Sequence, residues 1–255
     1  SFFSRIMAHR WAVFFLFRKE LVALHRRSGL GVVWSIIFPI LPIAVYVMLR
    51  MITVPARDAN GVHPAVYVAV GVTLWFYFKD MVTGPLGMVE KYSAMIANTN
   101  LSLASVVVVS LLMNLFNSLL RVMACVPVLL YFDNLVLDNA LYGVLALGVG
   151  TLFFLSFGLA MIPFSIVFRD LKNLLELVFR YLIFFSLAIF PITRFGPLED
   201  IVYLNPFAVL IDFVRLSVTT THALPMDELR WILLAMPVLL IAGIWILDRT
   251  RVRVQ

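Results

Sequence analysis

Lys79, Asp80, Asn114, Asn117 and Arg121 are the residues of this sequence best placed to do chemistry, because each interrupts an apolar run. Charges inside such runs face a bundle interior or water and mark substrate, ion or proton routes. Asn114, Asn117 and Arg121 fall at i, i+3 and i+7, which puts them on one face of a helix. That face can line an aqueous path or hydrogen-bond neighbouring helices. Neighbouring positions on a helix point about 100° apart, so Lys79 and Asp80 are not expected to pair with each other. Just before them stand four consecutive aromatics, Trp75, Phe76, Tyr77 and Phe78, which must encircle the helix. Some of these rings can stack on sugars; belt and core packing are the other uses of such residues.

Other chemistries find no support in the sequence. There is no GxxxxGK[ST] loop, so no phosphate cradle of that kind. His9, His25, His63 and His222 are scattered outside the apolar runs, and the single cysteine, Cys125, lies within one. Metal-ligand spacing and a disulfide framework are both absent. The carboxylate pairs Glu199-Asp200 and Asp227-Glu228 sit at helix starts, where acidic groups suit the helix dipole. No catalytic residue and no metal ligand is assigned.

The elements that must position these residues are membrane helices. Of 255 residues 63% are hydrophobic and 13% charged, against about 45–50% and about 25% in soluble domains. The net charge of +6 is then a matter of membrane orientation rather than nucleic-acid binding. Apolar runs predict an all-α integral membrane protein of one domain with six spans. They cover Gly31–Thr53 (with Trp34, Pro39 and Pro42), Val66–Val89, Leu103–Tyr131, Ala140–Phe164, Leu174–Phe190 and Trp231–Leu247. The stretch Glu90–Asn100 is polar enough to leave the membrane, and glycines along the fourth span permit close helix approach. Lys172, Glu176 and Arg180 can form a ladder along one helix face.

Two segments are not spans. Residues 1–30 combine Arg18, Arg26, Arg27 and other basic residues with an apolar stripe. This is the pattern of a helix lying in the membrane surface, serving as a lipid anchor or a docking surface. Residues 190–228 hold two short amphipathic pieces, Leu198–Tyr203 and Phe207–Thr219, broken at Asn205-Pro206 and flanked by Pro191 and Pro197. Each is too short to cross, and Asp212 and Arg215 stand within the second. A re-entrant hairpin between spans five and six is expected, opening on the outer side over a water-filled passage. Residues 31–189 then carry spans one to five, 229–248 the sixth and 249–255 a tail, and the distribution of Lys and Arg puts both termini in the cytoplasm.

In order, the segments "HRRSGLGVVWSIIFPILP" (His25–Pro42), "VGVTLWFYF" (Val70–Phe78), "FRD" (Phe168–Asp170) and "FPITRFGPLEDIVYLNPFAVLIDFVRLS" follow a basic amphipathic N-terminus and precede a sixth span. Together this resembles the permease subunit of type-2 ABC exporters of polysaccharides and polyol phosphates, the family serving O-antigen, capsule and teichoic-acid export. The resemblance covers nearly the whole chain. Leu74 stands where many members have proline, and Lys79-Asp80 is more charged than the usual small polar residues. The resemblance implies a homodimer in the inner membrane with two separate ATPase subunits that bind ATP and Mg, no cofactor on this chain, and a lipid-linked glycan substrate. Periplasmic export partners would fit; nucleic acid would not. It further implies that Trp75, Phe76, Tyr77, Phe78, Lys79 and Asp80 border the path together with the Asn114–Asn117–Arg121 face. Arg18, Arg26, Arg27, Glu90, Lys91, Arg169 and Asp170 would receive the ATPase. Pro191, Asn205, Pro206, Asp212 and Arg215 would form the outer gate.

Two other classes compete. An ion-coupled transporter or gated channel would use Asp80, Arg121 and Glu176 as ion or proton sites. A membrane-embedded enzyme acting on lipid-linked glycans would show product turnover by the isolated chain.

Overall fold

The computed structural model describes residues 10–26, 40–41, 43–49, 52, 62–99, 101–168, 170–220, 224 and 226–251. Among them the chain is helical throughout. The order is α1 (Arg10–Arg26), α2 (Pro64–Asn98), α3 (Leu103–Tyr131), α4 (Ala140–Val167), α5 (Leu171–Leu182), α6 (Glu199–Val202), α7 (Pro206–Thr219) and α8 (Met226–Arg251), with three 3-10 turns between α5 and α6. Four of these helices, α2, α3, α4 and α8, are long and apolar enough to cross a membrane. Counting the bent pair Gly196–Val202 and Pro206–Thr219 as one span gives five, and this is a multi-pass membrane protein. Most of the expected first span lies outside the described residues; 43–49 within it are helical.

α2 is the centre of the bundle. It starts where His63 accepts the amide of Ala65 through Nδ1 at 3.2 Å and Pro64 takes the first helical position, a place that needs no N–H donor. Its 35 residues extend about 52 Å at a rise of 1.5 Å per residue, against a hydrocarbon layer about 30 Å thick. The Glu90–Asn100 stretch, expected to leave the membrane, continues this same helix up to Asn98. Helix propagation adds a hydrogen bond for each residue fixed, so a polar composition alone does not end it. Thr99 ends it, and Ser102 caps α3 by accepting the amide of Ser105 at 3.1 Å. At the opposite end Asn134 returns to α2 by accepting the His63 amide at 3.0 Å, and the His63 ring stacks on Phe132.

Lipid tails are as apolar as leucine, so packing rather than water release holds such helices together. The fit is tight where it matters. A Cβ on Gly158 of α4 would lie 2.8 Å from the Val82 carbonyl oxygen of α2, so the two backbones meet there. Around Phe207 at the start of α7 the rings of Trp75, Phe154 and Phe179 gather at centroid distances of 4.6, 4.1 and 5.6 Å. Each such aromatic pair contributes about 0.5–1.5 kcal/mol beyond its buried area. α8 packs chiefly on α4 and leaves Leu234, Val238, Ile241 and Trp245 exposed, as a lipid-facing helix must.

The fifth apolar run is not one helix. α5 stops at Leu182, a 3-10 turn covers Ile183–Phe185, and Leu187 takes a positive φ of 56°. Backbone that leaves the helix at such depth needs other partners. Side chains supply them. Asn205 Nδ2 donates to the Phe185 carbonyl at 3.0 Å, Arg215 Nη1 to that of Leu187 at 2.7 Å, and the Tyr67 hydroxyl to that of Phe190 at 3.4 Å. The following short pieces meet α7 at 98°.

Candidate functional site

Lys79, Asp80 and Arg121 form one charged seam between α2 and α3. Arg121 Nη2 lies 2.8 Å from Asp80 Oδ2, and Lys79 Nζ lies 3.6 Å from Asp80 Oδ1. Neighbours in sequence do pair here, contrary to expectation. The lysine stem folds along Phe76, whose ring has Lys79 Nζ and the Arg121 guanidinium each 5.2 Å from its centre. A long flexible side chain thereby spans the angular gap that helix geometry opens. Gly84 lets α3 come close enough to complete the seam; a Cβ there would lie 2.6 Å from Asn114 Nδ2 and 2.9 Å from Ser110 Oγ. Asn114 Nδ2 donates instead to the Asp80 carbonyl at 2.6 Å, and Asn117 is half-buried beside it along the helix. Arg121 Nη1 and Ser110 Oγ are buried without a hydrogen-bond partner.

The seam lies deep. Lys79 is about 22 Å along the axis from Pro64 and Arg121 about 15 Å from Tyr131, at 1.5 Å per residue. Two cations face one carboxylate there, so one positive charge is left over in the seam.

The four aromatics before the seam part company. Trp75 and Phe78 are buried in the bundle core against Phe207, Phe179 and Phe154. Tyr77 bonds Thr151 Oγ1 at 2.5 Å. Phe76 alone stands among the charges.

Arg215 organises the end of the bundle near His63. It is 1% exposed. Its Nη2 donates to the Tyr67 hydroxyl at 2.7 Å and to Asp212 Oδ1, and its guanidinium carbon lies 3.4 Å from the Tyr67 ring centre. Asn205 caps α7 by accepting the Phe207 amide at 3.0 Å, Pro206 fills the first helical position, and Pro191 is buried. Tyr67 was not singled out by the sequence; a lone tyrosine in an apolar run carries no signal of the arginine it meets far along the chain.

At the other end of α2, Glu20 of α1 is buried and clasped by Lys91 Nζ and the Tyr92 hydroxyl, each at 2.5 Å. Burial acts to raise the Glu20 pKa, but the hydrogen bonds from Lys91 and Tyr92 and the charges of Lys91 and Lys19 outweigh it, holding the carboxyl below its usual value. Val13 and Leu16 of the same helix pack with Val106, Val107 and Val109 of α3. Neither Glu20 nor Tyr92 was picked out in the sequence; a carboxylate directly after Arg18-Lys19 was the available clue.

Of the remaining expected docking residues, Arg18 is exposed, Glu90 pairs with Lys172 at 3.7 Å, and Asp170 is exposed just before α5. Arg26 lies at the last position of α1, while Arg27 and Arg169 lie outside the described residues. Lys172 thus reaches across to α2, away from the ladder expected with Glu176 and Arg180, and Glu176 sits exposed on α5. Among the described residues no three His, Cys, Asp or Glu side chains are grouped to hold a metal.

No protein-family model matches the chain, and no curated protein matches it at a significant level.

Proposed function

We propose that this chain is the membrane permease subunit of an ATP-driven exporter that moves a lipid-linked polysaccharide across the inner membrane. The observation that carries the reading is the charged seam of Lys79, Asp80 and Arg121, set deep between two spanning helices. Charge at that depth is expensive and is found along transport routes. The clasp of Glu20 by Lys91 and Tyr92 supports it further, because it couples a surface helix to the helix bearing the seam. The order of motifs along the chain points the same way.

In this reading the chain crosses the membrane six times, with both termini in the cytoplasm. Residues 31–53 supply the first span, α5 and the turns after it the fifth, and the pieces meeting at 98° form the re-entrant hairpin. Two copies enclose the path. Two partner ATPases bind ATP and Mg and dock on α1 and the α2–α3 connection. Phe76, Lys79, Asp80, Asn117 and Arg121 border the route, and the hairpin, pinned by Arg215, closes its exit. A periplasmic partner would receive the product.

Gentle-detergent purification of the tagged chain from its native membrane, followed by mass spectrometry, tests this. An ABC ATPase is expected in the complex, with ATP turnover dependent on this chain. Lys79→Ala should impair export and leave that turnover largely intact. Vesicles holding this chain alone that move substrate under an ion gradient would overturn the reading. They would favour an ion-coupled carrier, for which the Asp80–Arg121 pair is the supporting observation.

A further inference from the structure

We infer that the seam between α2 and α3 binds an anionic phosphate group, with Arg121 and Lys79 as its donors. The inference deepens the export reading, on which it rests for its biological use, by naming the chemistry the seam recognises.

Charge comes first. Lys79 and Arg121 share the single carboxylate of Asp80. One positive charge therefore stays unbalanced at a depth where ionisable groups pair with one another or with a ligand. An anion completes the set.

Hydrogen bonding narrows the anion. Asp80 occupies Arg121 Nη2 at 2.8 Å, whereas Nη1 is buried with no acceptor. A buried donor left unpaired is unfavourable by about 1–3 kcal/mol, more when it is charged. The guanidinium fork suits oxyanions that present several acceptor oxygens, and lysine adds a point charge suited to phosphate. A phosphate can accept from Arg121 Nη1 with one oxygen and from Lys79 Nζ with another, leaving the Asp80 pair in place.

Access and shape agree. The Lys79 and Arg121 side chains are 23% and 14% exposed, so the seam is reached at Lys79 Nζ, while Nη1 is covered and meets the anion only when the seam parts slightly. Phe76 lies under both cations and walls one side. Phosphate could arrive as a free ion through water or as a lipid headgroup from the bilayer.

Thermal unfolding and native mass spectrometry of the full chain in detergent micelles decide the matter. The probes are inorganic phosphate and dioctanoyl phosphatidic acid, with dioctanoylglycerol, acetate and chloride at matched ionic strength as controls. Saturable stabilisation by at least one phosphate probe is expected. Its apparent affinity should weaken about tenfold or more in Lys79→Met and in Arg121→Gln, the scale of one charge-assisted hydrogen bond. Asp80→Asn should keep or strengthen it by removing the competing carboxylate. Stabilisation by inorganic phosphate supports an aqueous route, and stabilisation by the lipid alone supports entry from the bilayer. Should Arg121→Gln fail to fold, Lys79→Met carries the comparison, because its side chain is partly exposed. The inference is overturned by the absence of saturable stabilisation, by an equal response to acetate, by unchanged affinity in Lys79→Met, or by loss of phosphate binding in Asp80→Asn. ATPase association retained alongside any of these would sink the phosphate site and leave the export reading standing.

Discussion

Arg215 Nη2 donates to the Tyr67 hydroxyl at 2.7 Å, and the same guanidinium stacks on the ring that carries it. With Nη1 on the Leu187 carbonyl and Nη2 also on Asp212, one side chain joins α7, the first turn of α2 and the backbone beyond α5. Arg215→Lys keeps the charge but loses the planar fork. It should destabilise the chain by about 1–3 kcal/mol, the range for leaving a buried hydrogen-bonding group without its partner. Tyr67→Phe removes the acceptor of Arg215 and the donor to the Phe190 carbonyl, and should cost about 1–3 kcal/mol. A double-mutant cycle by thermal unfolding in micelles should show the two effects to be coupled. Additive effects would mean that the two residues stabilise the fold separately.

The clasp on Glu20 makes the docking of α1 sensitive to acid. The folded-state pKa of Glu20 is depressed from 4.5. Its contribution is therefore fully present above that value and is lost as pH falls through the lower, folded-state one. Hydrogen exchange of α1 should be flat from neutral pH down to about 4.5 once corrected for the intrinsic rate, then rise below it. Glu20→Gln should remove the acid-dependent step. A step that persists unchanged in Glu20→Gln would assign it to another group.

Trp75 belongs to the aromatic core, so its truncation should act on folding before it acts on any substrate. Trp75→Ala is expected to lose about 3–5 kcal/mol of stability. Trp75→Phe should recover much of it, as measured by yield and unfolding temperature. Normal stability in Trp75→Ala with defective export would instead put this ring on the substrate's route.

Gly158→Val should separate α2 from α4. Even the first added carbon would meet the Val82 carbonyl oxygen at 2.8 Å, and overpacking of this kind costs about 1–3 kcal/mol or more. Gly148→Ala, where a Cβ meets no atom within 4 Å, is the control and should keep or raise the melting temperature.

Much of the architecture was legible because its cause is local. Apolar length marks a spanning helix, so the third span was placed at its observed limits, Leu103–Tyr131, and the break at Asn205-Pro206 follows from proline chemistry. The shared face of Asn114, Asn117 and Arg121 was readable from helical spacing, and two of its members do reach Asp80. What escaped depends on distant contacts. Nothing near Leu182 marks the end of α5, because the carbonyls freed after it are received by Asn205, Arg215 and Tyr67 from elsewhere in the chain. Nor does helical spacing foresee a lysine bending over a phenylalanine to reach its neighbour.

Pro85 has a mechanical consequence. It lies within α2 between the seam at Lys79-Asp80 and the clasp at Lys91-Tyr92. Proline offers no amide, so the rung that would tie it to Met81 is missing and the rod is weakest there. Torque applied through α1 would meet that joint first, more than a turn before Asp80 and well before Tyr67.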